Sequence, residues 1–491
     1  MSFRRGGARS GDRGNTRFGY ADTGGNPPAR KVIRSAKLAA LPLAFAGRQV
    51  AGASQRAIGR PAEEIDRQIQ LRTAEHMADV LGELKGCAAK LGQILGIYEL
   101  ALPPELAEPY RMALSRLQDA APPMLPATVH AVLADSFGPE WRDSFREFDD
   151  RRAASATIGQ VHRAIWHDGR AVAVKVMYPG ARAAVDSDLR QLRALAWLTP
   201  VFAPYADGPA IVGELAESLR AELDFEAEAR SQRRFARTYA DDPDFRVPQV
   251  VAQRGDVIIS EWLDGIPLSR LITAGAQAER DRVGMLAIRF FWSSAPRSGL
   301  LYGDPHPGNF RVLPDGRLGV VDFGACPAWP PPQFPELVHD LADALINGGP
   351  AELDAFARRH GFTDAERGLD SAGLADKLLP FTEILCHDTF HADIAWLRGR
   401  TLDAMSPKLS NAYRQLAVPA YLMPFQRGLV TLFGTVAQLG TTGPMRDEVI
   451  RWSPEFSAVM ERYRQRTGGP TDLNAVRLRR AGAAAKGFAA G

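Results

Sequence analysis

Cysteine is scarce in this sequence, and so is an excess of charge of one sign. Its 491 residues contain three cysteines, Cys87, Cys326 and Cys386, which lie far apart. This number and spacing fit neither a disulfide framework nor a zinc site, so we expect a reducing, cytoplasmic setting. The formal net charge is only +3. That balance gives no reason to expect a nucleic-acid partner held by phosphate contacts.

Long apolar runs are lacking as well. No uncharged apolar stretch reaches the roughly 18–20 residues that a membrane-spanning helix needs. The nearest candidate, Leu416 to Leu439, is interrupted by two prolines and by Arg427, and we interpret it as buried C-terminal helices. The first apolar stretch follows a long polar segment, which is the wrong order for a secretory signal. The sequence leaves open whether the protein contacts a membrane surface peripherally.

Composition divides the chain into five segments. Residues 1–30 and 468–491 are rich in Gly with Arg or Ala and are predicted to be a disordered and a flexible tail. Residues 31–147 are predicted to form a helical extension, 148–265 a strand-rich lobe, and 266–467 a largely helical lobe. The expected fold class is therefore α+β, and the 45% hydrophobic content is sufficient for two such cores.

Hydrophobic periodicity predicts the secondary structure inside these segments. Apolar residues recur at three- and four-residue steps after Pro61, which predicts a long amphipathic helix. Further helices are expected at 127–137, 140–145, 184–199 and 210–239. Strands are expected at 158–166, 170–177, 245–251, 257–262, 310–313 and 318–321.

Lys175 is the first residue with candidate chemistry. It stands in the strand 170–177, where Val172, Val174 and Val176 alternate with other residues, so Lys175 points away from the valine face. A buried ammonium needs a carboxylate or phosphate partner. The alternative is an ordinary strand lysine whose head reaches solvent.

A loop of Pro and Gly carries the second element. Asp304 and Asn309 lie five residues apart in Tyr302-Gly-Asp-Pro-His-Pro-Gly-Asn309, which is the spacing of a kinase catalytic loop. There the Asp takes the proton of the substrate and the Asn holds a metal ion. Asp322, in Asp322-Phe-Gly after an apolar strand, is the third element and a natural magnesium ligand. Together the three predict phosphoryl-transfer chemistry.

The sequence resembles a known family at this point, the UbiB/aarF-type atypical kinases. The motif Lys90-Leu-Gly-Gln93 is similar to the KxGQ signature of that family, and Glu222-Leu-Asp224 is similar to its ExD signature. Ala153–Gln160 resembles the alanine-rich loop that replaces the glycine-rich loop of protein kinases. The resemblance covers roughly residues 31–445. It implies a bilobal protein-kinase-like fold with a KxGQ extension, binding ATP or ADP with Mg²⁺.

The resemblance also implies roles for the nucleotide-binding residues. Ala154, Ser155, Ala156 and Thr157 would cover the phosphates. Their side chains add bulk and limit positive φ angles, and Ser155 and Thr157 depart from the usual alanines, so the preference for ATP or ADP stays open. The segment Glu261–Gly265, including Leu263, is expected to form the lobe hinge whose backbone holds the adenine.

Acidic residues on the helix expected at 210–239 would complete the site. The resemblance implies that Glu228 pairs with Lys175, and that Glu222 and Asp224 pair with Lys90 of a helical lid that also carries Gln93. In a straight helix Asp224 and Glu228 share a face, and Glu222 points elsewhere. Gly303 stands before Asp304 where switched kinases carry an arginine, so we expect no switch by activation-loop phosphorylation.

The leading hypothesis is a kinase-like enzyme that hydrolyses ATP or phosphorylates a small molecule or lipid. It resembles proteins that support ubiquinone and isoprenoid-lipid metabolism, which implies a lipid or prenylquinone-precursor ligand. One alternative is a phosphotransferase like the aminoglycoside or choline kinases. The other is a pseudokinase scaffold that binds nucleotide without chemistry. The oligomeric state stays open.

Overall fold

The computed structural model describes residues 123–195, 208–363, 368–404 and 418–467, with the single residues 51, 72 and 416. Within these residues a sheet-based lobe is followed by a mainly helical lobe, so the expected bilobal α+β architecture is confirmed. No helix in this part of the chain has the length and apolar character to cross a bilayer.

The first lobe is built on a five-stranded antiparallel sheet with the order β1-β2-β3-β6-β5. Along β3 buried positions alternate with partly exposed ones, and Val172, Val174 and Val176 are fully buried. The strands are β1 (Phe145–Ala156), β2 (Gly159–Trp166), β3 (Ala171–Met177), β5 (Val250–Arg254) and β6 (Val257–Glu261).

Helices cover this sheet. Helix α1 packs on β3 and β6, and its Val129 and Leu133 belong to the same core as the β3 valines. The core of this lobe therefore includes a helix that lies ahead of the expected boundary at residue 148. Helix α4 packs on β5 and β6. The helices are α1 (Pro126–Phe137), α2 (Ala181–Leu195), α3 (Gly208–Glu222) and α4 (Phe225–Thr238).

Three local expectations are wrong. The strand expected at 245–251 is divided into two short strands, Phe245–Arg246 and Val250–Arg254, which belong to different sheets. The helix expected at 140–145 is a single 3₁₀ turn, Trp141–Ser144, after which β1 begins. Phe145 packs edge-on against Trp141 and Trp166, whereas the charged residues between 146 and 152 are largely exposed and hide the strand periodicity. The helix expected at 210–239 is broken, because the Asp224 side chain accepts a hydrogen bond from Ala227 N and begins α4 as its N-cap.

The second lobe packs helices around the long helix α6. A four-stranded sheet of short strands, with the order β4-β9-β8-β7, contacts helices α5 and α6, and a small β10-β11 pair contacts α6 and α12. The strands are β4 (Phe245–Arg246), β7 (Ile266–Pro267), β8 (Phe310–Val312), β9 (Leu318–Val320), β10 (Phe390–Ala392) and β11 (Thr441–Gly443). The helices are α5 (Leu268–Ala274), α6 (Gln277–Ser298), α7 (Phe334–Ile346), α8 (Pro350–Arg359), α9 (Ser371–Leu378), α10 (Glu383–Cys386), α11 (Ile394–Ala404), α12 (Met423–Leu439), α13 (Met445–Trp452) and α14 (Glu455–Thr467).

Candidate active site

Lys175 joins the two lobes at the cleft. Its Nζ donates to Oε1 of Glu228 at 2.7 Å and to Oδ2 of Asp322 at 3.2 Å. Strand β3 supplies the lysine, helix α4 the glutamate, and the segment after β9 the aspartate. The Glu228 side chain is only 2% exposed, and that of Asp322 is 34% exposed. The pairing of Lys175 with Glu228 that the family resemblance implied is therefore present in the structure.

Negative charge exceeds positive charge around this lysine. Burial, together with the carboxylates of Asp322 and Glu222, raises the pKa of Glu228 to about 7, against the opposing effect of Lys175. Burial alone would lower the pKa of Lys175, but Asp322 and Glu228 outweigh it and hold the ammonium charged. A site with more carboxylate than ammonium is suited to accept a divalent cation.

Internal hydrogen bonds stabilise the conformation of the predicted catalytic loop, residues 302–309. The Asn309 amide nitrogen donates to the Asp304 carbonyl at 3.0 Å, and Gly308 N donates to Nδ1 of His306 at 3.1 Å. The backbone of Asn309 is held as well, because its carbonyl accepts from Val321 N at 3.1 Å. These bonds give the loop that carries Asp304 and Asn309 one defined shape.

Asp322 is positioned by its own turn and by an aromatic core. Its Oδ1 accepts from Gly324 N at 3.1 Å. The neighbouring Phe323 is 1% exposed, and its ring lies 5.1 Å from that of Phe235 and 5.9 Å from that of Tyr302. Since Phe235 belongs to α4, the helix that carries Glu228, this core couples the two acids that contact Lys175.

Asn309 and Asp322 carry the kind of oxygen atoms that magnesium prefers as ligands. The Asn309 amide nitrogen is engaged, which leaves its oxygen as the ligand atom of that group. One further carboxylate oxygen, Oε2 of Glu228, is buried without a hydrogen-bond partner among the described residues. In this part of the chain no three acidic, His or Cys side chains cluster closely enough to hold a metal by themselves. Mg²⁺ typically binds one or two carboxylates and completes its shell with phosphate and water.

The alanine-rich segment forms the tip of the β1-β2 hairpin. Ala154, Ser155 and Ala156 lie at the end of strand β1, and the turn itself is Thr157 and Ile158. The expected loop is therefore mostly strand, because Ala156 pairs directly with Gly159. A Cβ at Gly159 would lie 2.3 Å from the Val176 carbonyl oxygen, so only glycine permits this close approach of β2 to β3.

The hinge candidates lie where β6 leaves the first lobe. The Glu261 carboxylate accepts from Arg246 at 2.8 Å and from Gln249 N at 3.1 Å, so its side chain secures the hinge. Leu263 reaches the second lobe, because a Cβ on Gly319 of β9 would lie 3.0 Å from Leu263 Cδ1. The hinge thus rests directly on the β8-β9 hairpin.

The lid residues are divided by the helix break. Glu222, the last residue of α3, lies against Gly324, since an added Cβ there would be 3.8 Å from both Cα and Cγ of Glu222. Asp224 instead caps α4, so its expected alignment with Glu228 on one straight helix is wrong. Lys90 and Gln93 lie outside the described residues, and their contacts with the two acids stay a prediction.

Helix α12 supports the catalytic loop, which the sequence analysis missed. Thr435 Oγ1 donates to the Pro305 carbonyl at 2.7 Å. A Cβ at Gly428 would lie 3.4 Å from Gly303 Cα, so the two backbones are in close contact. Arg427 brings a guanidinium nitrogen to 3.7 Å from the Cβ position of Gly303. No local pattern reveals these contacts, because the partners are more than a hundred residues apart.

Comparisons with known proteins agree with this geometry. Residues 116–348 match the family model of the ABC1 atypical kinase-like domain. The Caenorhabditis elegans protein "Atypical kinase coq-8, mitochondrial" is 30% identical over 68% of this chain and 45% of its own length. "Atypical kinase COQ8, mitochondrial" of Saccharomyces cerevisiae is 30% identical over 52% of this chain and 50% of its own. This chain therefore spans about half the length of these relatives.

A solved structure is similar along its entire chain. It is the complex of Rv3197 with erythromycin from Mycobacterium tuberculosis, with 36% sequence identity and a TM-score of 0.60. The similarity covers 81% of this chain and 100% of that chain.

Proposed function

Because this chain belongs to the ABC1 atypical kinase-like family, the UbiB/aarF type, we propose that it is a nucleotide-dependent enzyme that transfers or hydrolyses the terminal phosphoryl group of ATP. The observation that carries the proposal is the contact of Lys175 with Glu228 and Asp322 in one cleft. This contact unites a strand, a helix and a loop that are far apart in sequence.

Each residue has a proposed task in the transfer. Lys175, held by Glu228, binds the phosphate oxygens next to the leaving group. Asp304 orients the attacking hydroxyl or water and takes its proton as the new P–O bond forms and the bond to the departing ADP breaks. Asn309 and Asp322 hold magnesium, which neutralises charge on the phosphates when it is bound.

Nucleotide contacts beyond the phosphates follow from the two loops at the cleft. We propose that Thr157 and the strand end Ala154, Ser155 and Ala156 approach the phosphates, and that the backbone at Glu261 and Leu263 holds the base. Whether ATP or ADP binds more tightly is part of the test. For the acceptor we propose a lipid or prenylquinone precursor, in line with the UbiB resemblance, reached by peripheral contact with a membrane.

The proposal is tested by Asp322→Asn, with Asp315→Asn as the control. Asp315 lies on the turn of the same hairpin, is 49% exposed and pairs with Arg317 at 2.7 Å. Phosphate release should be measured with and without Mg²⁺, anionic liposomes and phenolic quinone precursors. We expect Asp322→Asn to lower magnesium-dependent turnover by about 100-fold or more, the scale of losing one electrostatic stabiliser of a transition state. Asp315→Asn should behave like the wild type.

Two results would contradict the proposal. Full magnesium-dependent turnover in Asp322→Asn would refute the metal assignment. A wild type that is stabilised by nucleotide but releases no phosphate under any of these conditions would favour the pseudokinase scaffold over the enzyme.

A second candidate function follows from the solved relative. Because the similarity to the erythromycin-bound protein covers its entire chain, we propose that this chain also binds a macrolide. Erythromycin should raise the unfolding temperature in a thermal-shift assay. Mass spectrometry of the recovered drug after incubation with Mg·ATP separates binding from phosphorylation, since a phosphorylated drug would support the small-molecule phosphotransferase alternative.

A further inference from the structure

Two buried polar side chains lie on strand β2, next to the hairpin tip that we propose approaches the phosphates. Gln160 is 1% exposed and His162 is 0% exposed. They pair across the sheet with Val176 and Val174 of β3, so they project from the valine face and away from Lys175. Polar groups in such a core are costly unless they are hydrogen-bonded, and both of these side chains are.

One chain of hydrogen bonds connects the two side chains to the backbone at either end. The Met124 N–H donates to Oε1 of Gln160 at 2.9 Å. The Gln160 amide nitrogen lies 2.8 Å from Nε2 of His162, and Nδ1 of His162 lies 2.9 Å from the Asp149 carbonyl oxygen. Met124 stands two residues ahead of helix α1, and Asp149 belongs to strand β1. The chain of bonds therefore links the start of α1 to both strands of the hairpin.

The groups at the two ends permit only one arrangement of protons. A carbonyl oxygen cannot donate, so Nδ1 of His162 carries a hydrogen and donates to Asp149. A backbone N–H cannot accept, so the oxygen of Gln160 faces Met124 and its NH₂ group faces His162. Nε2 of His162 must then accept, which requires the neutral imidazole with its hydrogen on Nδ1.

The surroundings of His162 favour this neutral form. Burial lowers the pKa of His162 below its ordinary value of 6.5 and outweighs the nearby carboxylates, which act in the opposite direction. The ring of Phe148 stacks on the imidazole with 5.2 Å between the centroids. The charged or titratable neighbours are Asp149, Asp150 and Arg152 of β1, His130 of α1, and Arg142, which contacts His130.

The same bonds hold the base of the hairpin tip. In the middle of β1 the three residues 149–151 stand opposite one residue of β2, which is a bulge. His162 bonds to the Asp149 carbonyl inside this bulge. Gln160 pairs directly with Ser155, which belongs to the tip, residues 154–157. The two side chains thus fix the strand positions from which the tip extends.

We propose that Gln160 and His162 are positioning residues that hold the tip in place for the nucleotide phosphates only while His162 is neutral. The inference rests on the proposed function and adds a dependence on pH to it. A second proton, on Nε2 of His162, would face the NH₂ group of Gln160. Turning the amide restores that bond but aims the NH₂ group at the Met124 N–H, so one of the two bonds is lost in either case. The tip then loses part of its support, and Mg·ATP binds less tightly.

The substitution Gln160→Glu tests this inference because it reverses the requirement. A carboxylate accepts from Met124 and also from Nε2 of a protonated His162, so it favours the charged imidazole. NMR of protein labelled with ¹⁵N-histidine, recorded without nucleotide, reports the protons on both ring nitrogens. We expect the neutral Nδ1–H form of His162 in the wild type at neutral pH, and a higher pKa of His162 in Gln160→Glu. The signal is assigned with His162→Asn, which lacks it.

The affinity for Mg·ATP should show the same reversal in isothermal titration calorimetry. As the pH is lowered from about 8 to about 5.5, the dissociation constant of Gln160→Glu relative to that of the wild type should fall about 5- to 30-fold, the effect of one buried hydrogen bond. The ratio cancels the titration of the nucleotide and of Glu228, which both proteins share. The control is Gln253→Glu on strand β5, where Gln253 donates to the Gly255 carbonyl at an exposed site. Its ratio to the wild type should not depend on pH.

A second variant carries the test if Gln160→Glu does not fold, which its unfolding temperature shows. His162→Asn keeps a donor for the Asp149 carbonyl and cannot titrate. It should bind Mg·ATP about 5- to 30-fold more weakly than the wild type at the alkaline end of the range. The difference should shrink as the pH falls, because the wild type then loses the same bond.

The opposite results separate this inference from the proposed function. A pH-independent ratio for the folded variants, or a hydrogen on Nε2 and not on Nδ1 of His162 at neutral pH, would overturn the positioning role alone. A wild type that binds no Mg·ATP at any pH would overturn the proposed function and the positioning role with it.

Discussion

Protonation of Glu228 should control a measurable part of the stability of this fold. Burial together with Asp322 and Glu222 raises the pKa of this carboxyl from 4.5 to about 7, although Lys175 opposes the change. The folded protein then binds this proton more tightly than the unfolded chain does. The resulting stabilisation is fully present below pH 4.5 and is lost as the pH rises through about 7.

The size of the effect follows from the same numbers. A rise from 4.5 to about 7, at about 1.36 kcal/mol per pH unit, corresponds to about 3 kcal/mol. This is a substantial share of the stability of a typical domain, which is about 5–15 kcal/mol. The effect should therefore be visible in the free energy of unfolding.

The variant Glu228→Gln isolates the contribution of Glu228 to the pH dependence of stability, because the amide side chain has the same shape as the carboxyl and does not titrate. Urea unfolding of the wild type and the variant should be followed between pH 4.5 and 8. We expect the stability of the wild type relative to Glu228→Gln to fall by about 3 kcal/mol as the pH rises to about 7. Glu226→Gln serves as the control, since Glu226 lies on the same helix with a side chain that is 70% exposed, and it should leave the pH dependence of the wild type unchanged.

The reasoning has two ways to fail. Parallel stability curves for the wild type and Glu228→Gln across this range would mean that Glu228 does not titrate there. A wild type that gains stability relative to the variant as the pH rises would mean that attraction by Lys175 outweighs burial, which reverses the sign of the argument.

Two further predictions concern the support of the catalytic loop by helix α12. Gly428→Ala should destabilise the protein by about 1–3 kcal/mol and lower kcat, because the new Cβ would lie 2.8 Å from the ring of the buried Phe291. The control is Gly399→Ala, where no described atom lies within 4 Å of the new Cβ. It should be neutral or stabilising in the same thermal-unfolding and turnover assays. Thr435→Val leaves the Pro305 carbonyl without its 2.7 Å donor and should cost about 1–3 kcal/mol with a loss of turnover. Among the described residues the Thr431 hydroxyl bonds to a carbonyl of its own helix, so similar kcat losses in Thr431→Val and Thr435→Val would contradict a specific role for Thr435.

Several features of the site were predictable because they depend on near neighbours along the chain. The alternation of valines in β3 predicted the direction of Lys175, and the fixed offset between Asp304 and Asn309 is imposed by one short loop. Asp322 follows the strand β9 within two residues. In each case the relevant geometry is set by strand period or loop length, which are local properties of the backbone.

Other features escaped prediction because local signals conflicted. Strand β1 carries charged residues on its exposed face, so its sequence shows little alternation, and packing of Phe145 on Trp166 at 5.0 Å decides its conformation. The break between α3 and α4 depends on Asp224, whose side chain competes for backbone N–H groups. That competition separates Glu222 from the helix that carries Glu228.

The sequence by itself determined the fold class, the family and the local geometry of each motif, since these follow from short-range periodicity and from motif spacing. Only the tertiary structure decided which motifs share a cleft and which distant residues support them. The bond from Thr435 to the carbonyl of Pro305 spans 130 residues, and the packing of the hinge on strand β8 joins two lobes. Contacts of this kind arise from the packing of whole elements, which no local pattern encodes.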